Sequence, residues 1–552
     1  MEQFIGSSNE PPEPVYLPFE WSVKNMSLSM AGRSQQVARG TQAWSNSSGA
    51  LLGTAAFFVL PSMVSRKEVK RLRAIVTNST PDMDADSVDG MSTMELVLER
   101  NGSYDEAMQL PDKADRASAH VASTRHVLRQ RIGAITRPIM QDRITPFVRA
   151  RYPSLCGKSA ARTCTPCHSI IRRYTPGARR THDLHFDLHA IVTVVVSLSD
   201  YGSEHAGGLH IQAAGNQPPR VLRLGRGDAL IHESDLLHGV QLPDDEGTRW
   251  SWVLWYLDSD TCDARPEEWH KDCADEGDAL CQYLLSLRLG GQVRASLWEK
   301  HAEIGAAVDV NGAAIDVTAA DARLDARDAL GLVAAAQAAR LAAEGGLGRA
   351  MDHYAMLLRS GKGVPKDEVG ASLWVRRAIN ASNEARAHCH LGQMLSEGSA
   401  FPTTPQADPQ VEALIHFRAA AHGGSRLCHY NVGVYHLHGR GGATRDKELA
   451  LRWFVRAHTG NAMHAAAAVH AEKGRLEDAE EWLRRAESAG VPGVTSEIAR
   501  LRAHRAAMPS HAHATRQAHT SRAGVAPGPG MSHERRTTTT PLRRGRGASD
   551  RR

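Results

Sequence analysis

Four times between residues 371 and 486 the chain repeats one frame of small residues: Ala371-x-x-Trp374-x-x-x-Ala378, Ala413-x-x-His416-x-x-x-Ala420, Ala450-x-x-Trp453-x-x-x-Ala457 and Ala479-x-x-Trp482-x-x-x-Ala486. A second frame precedes the first three units. Ala350, Ala387 and Cys428 are followed by Tyr354, Leu391 and Val432, and then by Gly361, Gly398 and Gly439. Repetition on this scale marks stacked supersecondary units. Each unit reads as a helix, a loop at the glycine and a second helix. The small residues let helices approach closely, and the large residue beside them fills the gap. One such pair cannot bury its apolar face alone, so the pairs must stack into a solenoid. Trp374, Trp453 and Trp482 therefore read as repeat core. Ala279, Tyr283 and Gly290 show the second frame again, which predicts a first repeat helix ending near Gly290.

Upstream of Asp258 the pattern changes. The run from Ala190 to Asp200 is β-branched and nearly continuous, as in a strand buried on both faces. Residues 222–231 and 248–256 predict two further strands, with a turn over Gly202–Gly208. Residues 50–59 predict another strand. Ser65 then caps a helix with Val69, Leu72 and Ile75 on one face. Residues 1–49 are rich in Ser, Asn, Gly and Pro and are expected to be mostly disordered, as is the arginine-rich tail 506–552. Nine arginines and two acids (Glu534, Asp550) follow Pro509, so the tail is at +7 within a net charge of +5, and the rest, at −2, is near neutral. This argues against a nucleic-acid groove. No secretory signal and no membrane-length apolar run is evident, so a cytoplasmic location is expected. Eight cysteines in 552 residues do not suggest a disulfide framework. Cys164, Cys167 and His168, with Cys156, form a weak zinc candidate without a second C-x-x-C. Buried thiols or one local disulfide are the expectation.

The residues with chemical potential are His185-Phe186-Asp187, then His238, then Arg249-Trp250-Ser251. Two imidazoles and one carboxylate on one face of a metal leave open positions for substrates, as a redox-active iron requires. On a strand, His185 and Asp187 point the same way. His270-Lys271-Asp272 is a second H-x-D, but it follows Pro266 where helix begins and is rejected. His232 rivals His238 as the distal ligand, and His182 and His189 flank the motif.

Three segments, RRYTPGARRTHDLHFD, VTVVVSLSDYGSEHAGGLHI and LGRGDALIHESDLLHGVQLPDDEGTRWSW, together resemble the prolyl 4-hydroxylase branch of the iron(II)/2-oxoglutarate dioxygenases over about 170–256. Two departures are small: the spacing from Tyr174 to His185 and that from His238 to Arg249 are each slightly long. The resemblance implies a double-stranded β-helix, a jelly-roll relative. It implies iron(II) on His185, Asp187 and His238, with 2-oxoglutarate held by Arg249, Ser251 and Tyr174, and ascorbate as reductant. The activity implied is hydroxylation of a C–H bond, of a prolyl or other residue, giving succinate and CO2. The presence of Asp187 favours hydroxylation over the halogenation of related enzymes that lack it. The repeats, over roughly 265–490, resemble the Sel-one-like family, a relative of tetratricopeptide repeats. The expected layout is a multidomain chain: a disordered segment 1–49, a dioxygenase domain with flanking helices over 50–260, an all-α repeat solenoid over 261–505, and the tail. A protein or peptide substrate recruited by the repeats is the expected partner. The rival readings are an interaction scaffold with an inactive barrel, and the same chemistry on a small molecule.

Overall fold

The computed structural model describes residues 17–18, 24–30, 33–45, 51–77, 82–85, 92–99, 119–156, 164–176, 180–212, 219–242, 247–257, 262, 266–303 and 326–507. The expectations of disorder for 1–16 and 508–552 lie outside the described residues. The described residues up to Ile498 form one compact unit.

Fourteen strands are described: β1 (Leu17–Pro18), β2 (Lys24–Met30), β3 (Arg33–Ser45), β4 (Leu51–Leu60), β5 (Asp82–Ala85), β6 (Ser92–Glu99), β7 (His168–Tyr174), β8 (Thr181–His185), β9 (Val192–Ser197), β10 (Gly208–Gln212), β11 (Pro219–Val221), β12 (Ala229–Glu233), β13 (His238–Gln241) and β14 (Arg249–Tyr256). The larger sheet has the order β2-β3-β4-β12-β9-β14-β7-β6-β5, and the smaller β1-β11-β10-β13-β8. Pairing is antiparallel except between β1 and β11.

The two sheets enclose a core that includes Phe57, Ile170, Val195, Leu230 and Val253 from the larger and Leu209 and Ile211 from the smaller. Helices α1 (Arg66–Thr77), α2 (Ala119–Ile139) and α3 (Thr145–Arg151) cover the larger sheet's other face. That explains the unbroken β9 sequence. Val192, Val194 and Val196 meet the helices while Val195 enters the inter-sheet core, so neither face tolerates a polar alternation. Ser65 closes a reciprocal capping box at α1. Its amide donates to Glu68 Oε2 (2.8 Å), and the Glu68 amide donates to Ser65 Oγ (3.2 Å).

Three expectations need correction. First, the 1–49 segment contains strands, and β3 pairs with β4 along most of its length. Gln42 is buried, donates to Leu237 O (3.2 Å) and accepts from the Leu237 amide (3.0 Å). Main-chain pairing with β4 carries β3, whose own sequence has no apolar alternation to reveal it. Second, the strand expected over 222–231 begins only at Ala229, because a turn intervenes. Gly227 there has φ +95°, and a Cβ on it would lie 1.9 Å from Val64 O. Third, all eight cysteines are paired: Cys156–Cys164, Cys167–Cys262, Cys273–Cys281 and Cys389–Cys428. The zinc candidate is thereby excluded, since Cys164 and Cys167 bond elsewhere. Disulfides persist mainly in oxidising compartments, which runs against the cytoplasmic expectation. Among the described residues no helix is long and apolar enough to cross a membrane. Cys167–Cys262 closes a sequence separation of 95 residues, so Cys262→Ser is expected to lower the unfolding free energy by about 2–4 kcal/mol. A denaturant titration checks this, and unchanged stability would mean the bridge is not formed.

Downstream lie α4 (Pro266–Asp275), α5 (Ala279–Glu303), α6 (Ala326–Glu344), α7 (Gly348–Ser360), α8 (Glu368–Ser382), α9 (Ala385–Glu397), α10 (Pro409–His422), α11 (Arg426–His438), α12 (Lys447–Ala457), α13 (Gly460–Glu472), α14 (Leu476–Ser488) and α15 (Val494–Ala507). The repeat frame falls where the sequence placed it. Ala371, Ala378, Ala413, Ala420, Ala450, Ala457, Ala479 and Ala486 are fully buried, and Gly361, Gly398 and Gly439 end α7, α9 and α11 in the left-handed conformation. A Cβ on Gly433 would lie 2.6 Å from the Phe454 ring, which shows how close α11 and α12 run. Gly290 departs from the frame, because α5 continues through it.

One apolar cluster runs from Phe186 and Leu237, which stand just beyond the ends of β8 and β13, through Leu280, Tyr283 and Leu284 of α5, to Trp453 of α12. Phe186 lies between His185 and Asp187, and Leu237 immediately precedes His238. The backs of the candidate ligand segments are therefore the first layer of the solenoid core. Arg288 of α5 adds polar ties to Ser234 Oγ (2.8 Å) and Ala190 O (3.3 Å), and Arg426 of α11 pairs with Asp183 on β8 (3.1 Å).

Candidate metal centre

β8 and β13 lie side by side with His185 directly opposite His238. His185 is the last residue of β8 and Asp187 stands just beyond it, so the pair straddles the strand end rather than sharing one strand. The donor atoms of His185, Asp187 and His238 nevertheless lie within 4.8 Å of one another. His185 Nε2 is 3.4 Å from Asp187 Oδ1, and His238 Nε2 is 3.8 Å from Asp187 Oδ2.

Backbone carbonyls set the imidazole tautomers. His185 Nδ1 contacts Asp183 O (2.7 Å) and His238 Nδ1 contacts Leu236 O (3.1 Å). A carbonyl only accepts, so each Nδ1 carries the proton and each Nε2 turns a lone pair toward Asp187. Burial alone would raise the Asp187 carboxyl. The facing His238 and His185 hold it well below the ordinary range instead, so it is a carboxylate. Burial keeps His238 well below its ordinary value, so it is neutral. Two imidazoles and one carboxylate are the donor set of a non-haem iron(II) site, so the residues fit the ion. Thr193 donates from Oγ1 to Asp187 Oδ2 at 2.6 Å and orients the carboxylate. Sequence reasoning missed Thr193, although a lone threonine within a valine run was the available signal. His182, noted only as a flanking residue, places Nδ1 3.0 Å from that of His185.

A cavity of about 390 Å³, counting space continuous with solvent, joins these residues to Tyr174, Arg249 and Ser251. β14 presents Arg249, Ser251, Val253 and Trp255 to this side and packs Trp250, Trp252 and Leu254 against the helices. Arg249 is 3% exposed, its guanidinium lies over the Tyr174 ring (5.6 Å to the centroid), and its Nη1 is 3.5 Å from Ser251 Oγ. Burial lowers its pKa from the ordinary value. Among the described residues no carboxylate pairs with Arg249. A buried cation without a counter-ion is suited to an anionic ligand. Val195, Leu209, Val240 and Val253 supply apolar lining. His270 of the second H-x-D lies on α4, with Nε2 3.4 Å from Ser234 Oγ, and is no part of this cavity.

A family model described as the Sel1 repeat matches residues 348–383, 385–425 and 427–457. No curated protein matches the chain in sequence. Among solved structures, a Sel1 repeat protein from Oxalobacter formigenes is similar at 24% identity and a TM-score of 0.27, with 30% of this chain and 66% of that one covered. A 2OG-Fe(II) oxygenase family oxidoreductase from Burkholderia pseudomallei is similar at 16% identity and a TM-score of 0.25, covering 37% and 85%. A Pseudomonas putida prolyl-4-hydroxylase follows at 14% identity and a TM-score of 0.21, covering 36% and 91%. Scores this low do not establish a shared fold. The family match over three consecutive units stands apart from them: residues 348–457 are Sel1 repeats.

Proposed function

We propose that this chain is an iron(II)- and 2-oxoglutarate-dependent dioxygenase that hydroxylates a C–H bond of a protein substrate. The sheets and their flanking helices form its catalytic module, a double-stranded β-helix, and residues 261–505 its repeat module. The observation that carries this reading is the convergence of the His185 and His238 lone pairs on the Asp187 carboxylate, in one cavity with the buried Arg249. When bound, iron(II) supplies the redox chemistry by which 2-oxoglutarate and dioxygen yield succinate, CO2 and a hydroxylated substrate. His185, Asp187 and His238 would hold the ion. Arg249 binds the distal carboxylate of the cosubstrate by charge-assisted hydrogen bonds, with Ser251 and Tyr174 beside it. The valine and leucine lining keeps water from these bonds and strengthens them. The Sel1 repeats recruit the protein substrate, in keeping with the extended surfaces that stacked helical pairs present.

Arg249→Ala tests the cosubstrate site. Losing the buried partner of a carboxylate costs on the order of 2–5 kcal/mol, so 2-oxoglutarate should bind roughly 30-fold or more weakly by calorimetry. Unchanged affinity would remove Arg249 as the anchor.

A further inference from the structure

His232, on β12 of the larger sheet, is completely buried and points at the same carboxylate from another direction. Its Nε2 lies 3.9 Å from Asp187 Oδ2, nearly the separation of His238 Nε2 from that oxygen (3.8 Å). The His232 and His238 rings meet edge to face with centroids 4.5 Å apart. His232 Nδ1 contacts Glu233 O at 2.7 Å and so carries the ring proton, which leaves a lone pair on Nε2. That Nε2 has no hydrogen-bond partner. Asp187 Oδ2 offers it no proton, since it already accepts from Thr193 Oγ1. Two acceptors thus confront each other in a dry interior, an arrangement that native proteins rarely leave uncompensated.

We propose that His232 is a fourth protein ligand of the ion held by His185, Asp187 and His238, a proposal that rests on reading this site as a metal centre. With metal–nitrogen bonds of about 2.1 Å, neighbouring donors stand roughly 3 Å apart and opposite donors roughly 4.2 Å apart. The three imidazole nitrogens lie 3.4, 3.8 and 3.9 Å from the Asp187 oxygens, all inside that span. His232 is not among the trio whose donor atoms all lie within 4.8 Å of one another, so the ion must draw it in. Its orphaned lone pair favours that movement. The same backbone device fixes all three rings, since each Nδ1 meets a carbonyl oxygen and each Nε2 is turned inward. Four protein ligands would leave two open positions, which a chelating 2-oxo acid fills completely. His232 would then have to yield before a third position opened.

The test uses the full-length protein loaded with cobalt(II) and proton NMR in water. An imidazole bound through Nε2 shows its Nδ1 proton shifted far outside the ordinary window, and the signal disappears in D2O. The proposal expects three such signals in the wild type and two in His232→Phe, with cobalt affinity lowered at least 10-fold in the variant. Two signals in the wild type would overturn the fourth ligand and leave the three-residue centre standing. No shifted signal at all would overturn the metal centre itself. Should His232→Phe not fold, the count in the wild type decides.

Discussion

Asp187→Ala is expected to abolish succinate formation and to weaken iron(II) binding by more than about 100-fold. Changes to residues that merely support a ligand already cost about 10–100-fold in metal affinity, and Asp187 is the proposed carboxylate ligand itself. His185→Ala should behave alike, since its Nε2 is 3.4 Å from Asp187 Oδ1. The fold should survive both changes. Asp187→Ala removes a carboxylate that burial disfavours, and leaves the Thr193 hydroxyl without its acceptor, a loss of about 1 kcal/mol. Circular dichroism and thermal unfolding check the fold, and titration with iron(II) checks the site. Wild-type turnover by both variants would remove these residues from the metal.

A chain ending near residue 262 is expected to lose the catalytic module's stability along with the repeats. From the sequence alone, a chain ending there is expected to keep uncoupled turnover provided that it stays soluble. The packing argues otherwise, because Leu280, Tyr283 and Leu284 of α5 cover Phe186 and Leu237. Uncovering two such side chains costs roughly 3–6 kcal/mol, against a net stability of about 5–15 kcal/mol for a typical domain. Arg288 would also take its bonds to Ser234 and Ala190 with it. The truncated chain should aggregate, or unfold well below the full-length protein and bind iron(II) poorly. A chain ending near residue 345, which keeps α4 to α6, should recover both properties. If the shorter chain matched the full-length protein in stability and succinate release, the solenoid would have no part in supporting the ligand segments.

Much of this was legible in the sequence where residue type and spacing are themselves the requirement. His185, Asp187, His238, Arg249 and Ser251 reach one cavity because a period of two fixes which residues of β14 share a face, and because β8 and β13 pair at the ligands. The buried alanines were legible because only a small residue fits where helices touch. What stayed hidden depends on partners distant in sequence. β3 reads as polar coil because its order comes from pairing with β4. The disulfides were missed because spacing does not encode which thiols meet. Thr193 acquires meaning only when β9 brings it to Asp187, whereas His232 was legible as a rival to His238, and only β12 puts both rings against the same carboxylate. Phe186 and Leu237 looked like filler between ligands, and their role appears only when α5 is seen packed behind them.

The most direct measurement of the central claim is succinate released from 2-oxoglutarate by purified full-length protein in air, with ascorbate as reductant and no added substrate. The account predicts slow release that requires iron(II), stops with a chelator, and is absent from Asp187→Ala. Succinate no higher than that variant's background, from wild-type protein shown by calorimetry to hold both iron(II) and 2-oxoglutarate, would contradict it.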